Sequence, residues 1–182
     1  MAFQSQMISL MCFGQFTETR KKDQSYLIAL KGLTIAVPVP KELFDNPPPY
    51  GTPGIVKGTL TTNDFNGRPS AKHLSWLPLT DESQWPSDGV LNRFEGLADI
   101  SKDSFTSKIG EVVPYLRIDG MSFTYQYFPQ SQEELDKFPT GEHLIYGALK
   151  VDQTQNQQFK VKSTIWHCIP LGIINPKRAK QQ

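Results

Sequence analysis

The sequence predicts an all-β protein made of two tandem copies of one small five-stranded barrel, and three observations lead there. Short β-branched and aromatic runs are punctuated by 14 Pro and 13 Gly, a composition of strands and turns rather than long helices. Hydrophobic residues are 38%, charged residues 20% and aromatics 11% of the 182 residues, enough apolar surface to build a core. The third observation is an internal repeat. Gly32-Leu-Thr-Ile-Ala-Val-Pro-Val-Pro, Lys41-Glu-Leu-Phe-Asp, Tyr50-Gly-Thr-Pro-Gly-Ile-Val-Lys-Gly-Thr-Leu and Leu77-Pro-Leu are matched by Gly120-Met-Ser-Phe-Thr-Tyr-Gln-Tyr-Phe-Pro, Glu133-Glu-Leu-Asp, Thr140-Gly-Glu-His-Leu-Ile-Tyr-Gly-Ala-Leu and Ile169-Pro-Leu. The paired landmarks Gly32 and Gly120, Gly58 and Gly147, and Pro78 and Pro170 drift slowly apart, as duplication with small loop insertions requires.

The first strand of each copy is the Gly-containing apolar run, Ile8 to Phe16 or Phe94 to Ile100. A hairpin follows. Tyr26-Leu-Ile-Ala-Leu turns at Lys31-Gly32 into Leu33-Thr-Ile-Ala-Val, and Tyr115-Leu-Arg-Ile turns at Asp119-Gly120 into Met121-Ser-Phe-Thr-Tyr. Gly accepts the positive φ such a tight turn needs. A short polar, helix-compatible link comes next. The fourth strand carries the repeated glycine (Ile55 to Leu60; Leu144 to Val151), and a polar hairpin leads to the fifth (Lys72 to Leu77; Val161 to Trp166).

Five strands with a link between the third and fourth is the order of the OB-fold. The expected organisation is one OB module over residues 1–80, a linker over 81–92, a second module over 93–173 and a polar, basic tail over 174–182.

Charge and motifs narrow the function. Residues 1–80 hold eight Lys+Arg and five Asp+Glu, net +3; residues 81–182 hold eleven and thirteen, net −2. With no basic block, nucleic-acid contacts must come from locally placed groups. No apolar stretch approaches the roughly 18 residues of a membrane span and no signal-peptide pattern opens the chain, so a cytoplasmic protein without membrane attachment is expected. Cys12 and Cys168 sit in strand-like runs and read as small buried hydrophobes, not a disulfide.

Neither catalysis, a cofactor nor a metal is expected. His73, His143 and His167 have no second ligand at zinc spacing. Trp166-His167-Cys168 alternate faces on a strand. Gly51-Thr-Pro-Gly-Ile-Val-Lys-Gly is not a phosphate loop, because Pro53 removes a donor and the spacing differs. Pro47-Pro-Pro-Tyr50 has the form of a WW-domain ligand, yet it falls where the repeat demands a connection, so a rigid loop is the simpler reading.

OB modules bind single strands on the face of strands two and three, between the loop joining strands one and two and the loop joining four and five. Backbone-tracking cations and aromatic stacking platforms are the chemistry required. In the first copy the loops supply Arg20, Lys21 and Lys22, then Phe65, Arg68 and Lys72; in the second they supply Phe105 and Lys108, with Lys102 beside them, then Phe159, Lys160 and Lys162. Alternation puts Leu116 and Ile118 on the buried face of the second copy's strand two and Tyr115 and Arg117 on the outer face. The matching outer positions in the first copy are Leu27, Ala29 and Lys31, a poorer platform.

On the patterns at Tyr50 to Leu60 and Thr140 to Leu149, each followed by a polar hairpin and a strand ending Leu77-Pro-Leu or Ile169-Pro-Leu, the chain resembles the bacterial single-stranded DNA-binding protein family, including the primosomal OB protein. The pattern looks like that family's fourth and fifth strands and covers roughly a third of each copy. The resemblance implies sequence-tolerant single-stranded DNA binding in replication, recombination, repair or mobile-element maintenance, with homo-oligomers and replication or repair proteins as partners. It does not extend to the family's acidic tail ending in Pro-Phe, since the chain reads Asn175-Pro-Lys-Arg-Ala-Lys-Gln-Gln. The rival expectations are a tandem-OB protein-interaction scaffold and single-stranded RNA binding. Salt dependence separates phosphate contacts from an apolar protein interface.

Overall fold

A computed structural model describes residues 7–30, 33–63, 68–81, 92–156 and 161–174, with the backbone alone for 151–154, 156, 161–165 and 174. The first half runs β1 (Ser9–Arg20), a single 3-10 turn (Lys21–Asp23), β2 (Ser25–Leu30), β3 (Leu33–Pro38), α1 (Lys41–Asp45), β4 (Pro53–Thr62) and β5 (Pro69–Pro78). The second runs β6 (Arg93–Thr106), β7 (Val112–Gly120), β8 (Phe123–Tyr127), α2 (Gln132–Asp136), β9 (Gly141–Asn156) and β10 (Val161–Ile174). The all-β expectation holds, and the link between third and fourth strands is one short helix in each half.

Period-2 patterning makes these strands. Leu10, Cys12 and Phe16 of β1, Ile28 and Leu30 of β2, and Leu33, Ile35 and Val37 of β3 are buried, and the residues that alternate with them, Met11, Phe13, Leu27, Ala29, Thr34 and Ala36, are more exposed. The helices are held from their ends. Ser131 caps α2 by accepting from the Glu134 N–H at 3.1 Å, while the Glu134 carboxylate accepts from Tyr127 Oη at 2.6 Å and the Gln130 N–H at 2.8 Å, and Leu135 and Phe138 enter the core. On the other side Tyr26 Oη donates to the Leu43 carbonyl of α1, and Tyr26 itself packs against Phe16 and Trp76 at ring-centroid distances of 4.9 and 5.8 Å.

The ladders among the described residues are all antiparallel. β1 pairs β2 and β4, β2 pairs β3, and β4 pairs β5; in the second half β6 pairs β7 and β9, β7 pairs β8, and β9 pairs β10. The halves therefore share one pairing scheme. Both second-to-third-strand hairpins close on two residues, between Leu30 and Leu33 and between Gly120 and Phe123. Counting back from these tips, Ile28 corresponds to Ile118, Phe16 to Ile100 and Leu10 to Phe94, and the last two face Gly58 and Gly147. Gly58 and Gly147 thus hold matching places in the fourth strands. Two other landmarks do not match. The second hairpin turns at Met121-Ser122, with Gly120 still in β7, so Gly120 corresponds to Leu30 and not to Gly32. Pro78 faces Gly54 whereas Pro170 faces Gly147, because β9 and β10 form a longer hairpin than β4 and β5 and slide the Pro-Leu motif along the ladder.

The halves join edge to edge. Ser9, Leu10 and Met11 of β1 pair with Glu95, Phe94 and Arg93 of β6, which makes one continuous ten-stranded sheet. Among the described residues no ladder links β3 to β5 or β8 to β10, so the sheet is open, although these strands approach to within 8 Å between Cα atoms. A second junction lies at the end of β4, where Thr62 donates its N–H to the Ser122 carbonyl at 2.9 Å and its hydroxyl accepts from the Thr124 N–H at 2.6 Å. One hydrophobic cluster runs through both halves, from Cys12, Val56 and Trp76 through Ile8, Leu10 and Phe94 to Ile118, Ile145 and Cys168. Gly96 is required at this seam, because a Cβ there would lie 2.8 Å from the Ile8 Cα. No helix among the described residues is long and apolar enough to cross a membrane.

Candidate nucleic-acid interface

The face of β6, β7 and β8 turned away from the core concentrates the candidate chemistry. Across-strand register places Asp99, Ser101, Asp103 and Phe105 of β6 beside Asp119, Arg117, Tyr115 and Val113 of β7. Thr124 and Gln126 of β8 continue the rows, and Phe128 follows by alternation. Three rings meet at one end. Phe105 lies 6.3 Å from Tyr115 and 6.0 Å from Phe128, the latter edge to face at 89°, and Tyr115 lies 5.7 Å from Phe128. Phe105 and Phe128 are 46% and 48% exposed, while Tyr115 beneath them is 8% exposed. Tyr115 Oη donates to Asp103 Oδ2 at 3.0 Å, which raises the phenol above its ordinary value. Asp103 is held below the usual carboxylate range, chiefly by the Ser104 N–H and then by Tyr115. The platform the sequence assigned to Tyr115 and Arg117 is therefore built differently: Tyr115 is the floor, and the exposed rings are Phe105 and Phe128.

The charge on this face is mixed. Arg117 Nε lies 2.7 Å from Asp119 Oδ2, an ion pair with both side chains partly in solvent. Asp99 stands opposite Asp119 and Asp103 opposite Tyr115, so three carboxylates and one guanidinium occupy the β6–β7 rows. Lys102 is on the other face, with Nζ 3.6 Å from Asp136. An anion approaching the rings is repelled on the β6 side and meets less negative charge on the β8 side.

The remaining sequence-predicted residues divide into three groups. Lys31, Phe65, Phe159 and Lys160 lie outside the described residues, and Lys162 is placed only as backbone on β10, opposite Gln155. Arg20, Lys21 and Lys22 are exposed where β1 passes into its 3-10 turn, but Arg20 is tied to Asp23, whose carboxyl is lowered to about 2 by the Arg20 hydrogen bond and then by Ser25. Arg68 and Lys72 are exposed at the start of β5, and Lys108 is exposed in the turn after β6. Phe105 is the second-to-last residue of β6 and not part of a loop, because β6 runs further than its apolar stretch indicated. Of the predicted set, the structure brings together Phe105, Tyr115 and Arg117.

Among the described residues the first half has no such cluster on the matching face. By register Tyr115 corresponds to Ser25 and Phe128 to Pro38, while Leu27 and Ala29 correspond to Arg117 and Asp119, one pleat from the expected match. Ser25 is buried and donates to Asp23 at 2.7 Å, and across the ladder it faces Arg20, which is paired with the same Asp23. Phe128 and the carboxylate row escaped the sequence reading. Carrying the alternation of Thr124 and Gln126 two residues further would have found Phe128.

Cys12 and Cys168 are free, fully buried thiols, each pushed up to about 12 by burial. Among the described residues no three His, Cys, Asp or Glu side chains group as a metal site. Neither a protein-family model nor a curated protein matches the chain.

Proposed function

We propose that the chain binds single-stranded nucleic acid, DNA in preference to RNA, without strong sequence selection, through two tandem OB modules over residues 1–80 and 93–173. The observation that carries this reading is the exposed Phe105–Phe128 pair over Tyr115, on the face of the second and third strands of the second half. That is the face OB modules use, and exposed rings there give bases a surface to stack on at about 1–3 kcal/mol each. The pairing scheme supports it: a first strand flanked by the second and fourth, with a helix between third and fourth, is the OB order in both halves. The likeness to single-stranded DNA-binding proteins at Tyr50 to Leu60 and Thr140 to Leu149 points the same way. The chain acts by binding and not by catalysis, in the cytoplasm, with replication or repair proteins as further partners.

A polarisation titration against single-stranded DNA, single-stranded RNA and duplex at two salt concentrations tests this. Tight single-strand binding that falls as salt rises is expected. The carboxylates Asp99, Asp103 and Asp119 favour a second reading, a tandem-OB protein-interaction scaffold that docks a basic or aromatic segment on the same rings. The absence of single-strand binding at both salt concentrations would overturn the first reading and leave the second to be tested with a basic, aromatic-bearing peptide.

A further inference from the structure

We infer that a cleft between the two halves is a second nucleotide subsite, through which a strand stacked on Phe105 and Phe128 crosses to the first half. This rests on the single-strand reading above. The cleft, of about 590 Å3, lies between the end of the β4–β5 hairpin and the open edge of β8, lined by Thr62, Arg68, Thr124, Gln126 and Phe128 among others. Its size is that of small-molecule sites, ~300–1,000 Å3.

Four features fit one occupant, a nucleotide of a passing strand. Phe128 lines the cleft and is also a ring of the aromatic cluster, so a base leaving the cluster enters the cleft without losing its apolar support. Charge directs the backbone the same way. Asp99, Asp103 and Asp119 crowd the β6–β7 rows, whereas the described lining of the cleft holds Arg68, an exposed residue, and no carboxylate. The third feature is Gln126, exposed, with a side-chain amide that has no hydrogen-bond partner among the described residues. Its donor and acceptor can serve the edge of any base. Finally, the cleft is preformed: Thr62 is bonded to Ser122 and Thr124, so the hairpin that carries Arg68 is fixed against β8. A strand held here touches both halves.

The test uses the full chain and a labelled 20-nucleotide oligothymidylate. Arg68→Glu and Gln126→Glu place negative charge in the cleft without touching the core. Phe105→Ala removes a ring outside it. Each of the three is expected to weaken binding about tenfold or more, on the scale of one lost stack or phosphate contact, with an unchanged melting temperature for Arg68→Glu and Gln126→Glu. In a second measurement, 5-iodouracil placed along the strand is expected to photocrosslink to peptides containing residues 62 and 68 or 124–128. If Phe105→Ala weakens binding while Arg68→Glu and Gln126→Glu leave it within twofold and no such crosslinks form, the cleft is not a subsite and the single-strand reading stands. If the unaltered chain binds no oligothymidylate, both fall together.

Discussion

Leu10 and Phe94 face each other across the β1–β6 ladder and are each other's counterparts in the two halves. Their neighbours are reciprocal: Ser9 pairs with Glu95, the counterpart of Met11, and Met11 pairs with Arg93, the counterpart of Ser9. This is the signature of an isologous contact between two identical subunits, here contained in a single chain. In a single chain such a contact forms intramolecularly and needs no association between molecules. The two halves differ around it, with Phe105, Tyr115 and Phe128 in the second against Ser25 and Pro38 in the first.

Unfolding should be a single cooperative event. The halves share a ladder, a hydrogen-bonded junction at Thr62 and one hydrophobic cluster, so neither loses its partner without exposing apolar surface. Calorimetry should give equal calorimetric and van't Hoff enthalpies. A ratio near two would mean that the halves melt independently.

Gly147→Ala should destabilise strongly, by about 2 kcal/mol or more, because a Cβ at this position overlaps the Ile169 carbonyl and the Phe94 ring, which the core holds in place. Gly58→Ala should cost less, since the nearest obstacle is the end of the Leu74 side chain, Cδ2 at 2.8 Å, followed by the Lys72 carbonyl at 2.9 Å, both farther than the atoms a Cβ meets at Gly147. Gly51→Ala meets no atom but has φ +82°, so a backbone cost of about 1 kcal/mol is expected. Urea denaturation of the three variants checks the order.

Phe128→Ala and Phe105→Ala should each weaken single-strand binding by about 1–3 kcal/mol. Tyr115→Phe should leave affinity nearly unchanged, since it keeps the ring and loses only the Asp103 hydrogen bond. A large loss with Tyr115→Phe and none with Phe128→Ala would refute the assignment of floor and exposed ring.

Arg117→Ala should flatten the log-log salt dependence of binding by about 0.7, the slope of one single-strand phosphate contact. Asp119→Asn should strengthen binding, because it removes the carboxylate that Arg117 now shares. Titrations of both variants at several salt concentrations read these effects, and an Asp119→Asn protein that binds more weakly would contradict them.

Alkaline pH should destabilise the fold. Burial raises both thiols from 9.0 to about 12, and burial followed by the Glu134 contact raises Tyr127 from 10.0 to about 12. Folding therefore favours the protonated forms of all three groups. That contribution is complete below about pH 9 and disappears as the pH rises toward 12. Denaturation midpoints should fall across that window. Near neutral pH iodoacetamide should leave both cysteines of the folded protein unmodified and alkylate them in denaturant.

Alternation of apolar residues, Gly-bearing turns and the duplicated pattern made the strand order legible, down to the correspondence of Gly58 with Gly147. The errors were errors of register. Asp119-Gly120 resembles a turn, yet the tip falls at Met121-Ser122, because pairing Gly120 with Phe123 keeps Ile118 opposite Tyr125 and buries Phe123. Local sequence favours a turn; the buried face of the hairpin decides where it goes. In the site, Tyr115 and Arg117 were readable from alternation within β7, but alternation assigns a face and not an exposure.

Periodicity and composition along the chain were enough for the class, the number of strands, their approximate ends, the repeated pattern and the burial of Cys12 and Cys168. The tertiary structure decided what depends on neighbours distant in sequence: the β1–β6 seam, the burial of Tyr115 beneath Phe105 and Phe128, the carboxylate row beside them and the cleft at Thr62 and Gln126. Each is a meeting of strands from different parts of the chain. Strand patterning specifies which side chains face the core, but the ladder register fixes which of the outward-facing ones stand next to each other.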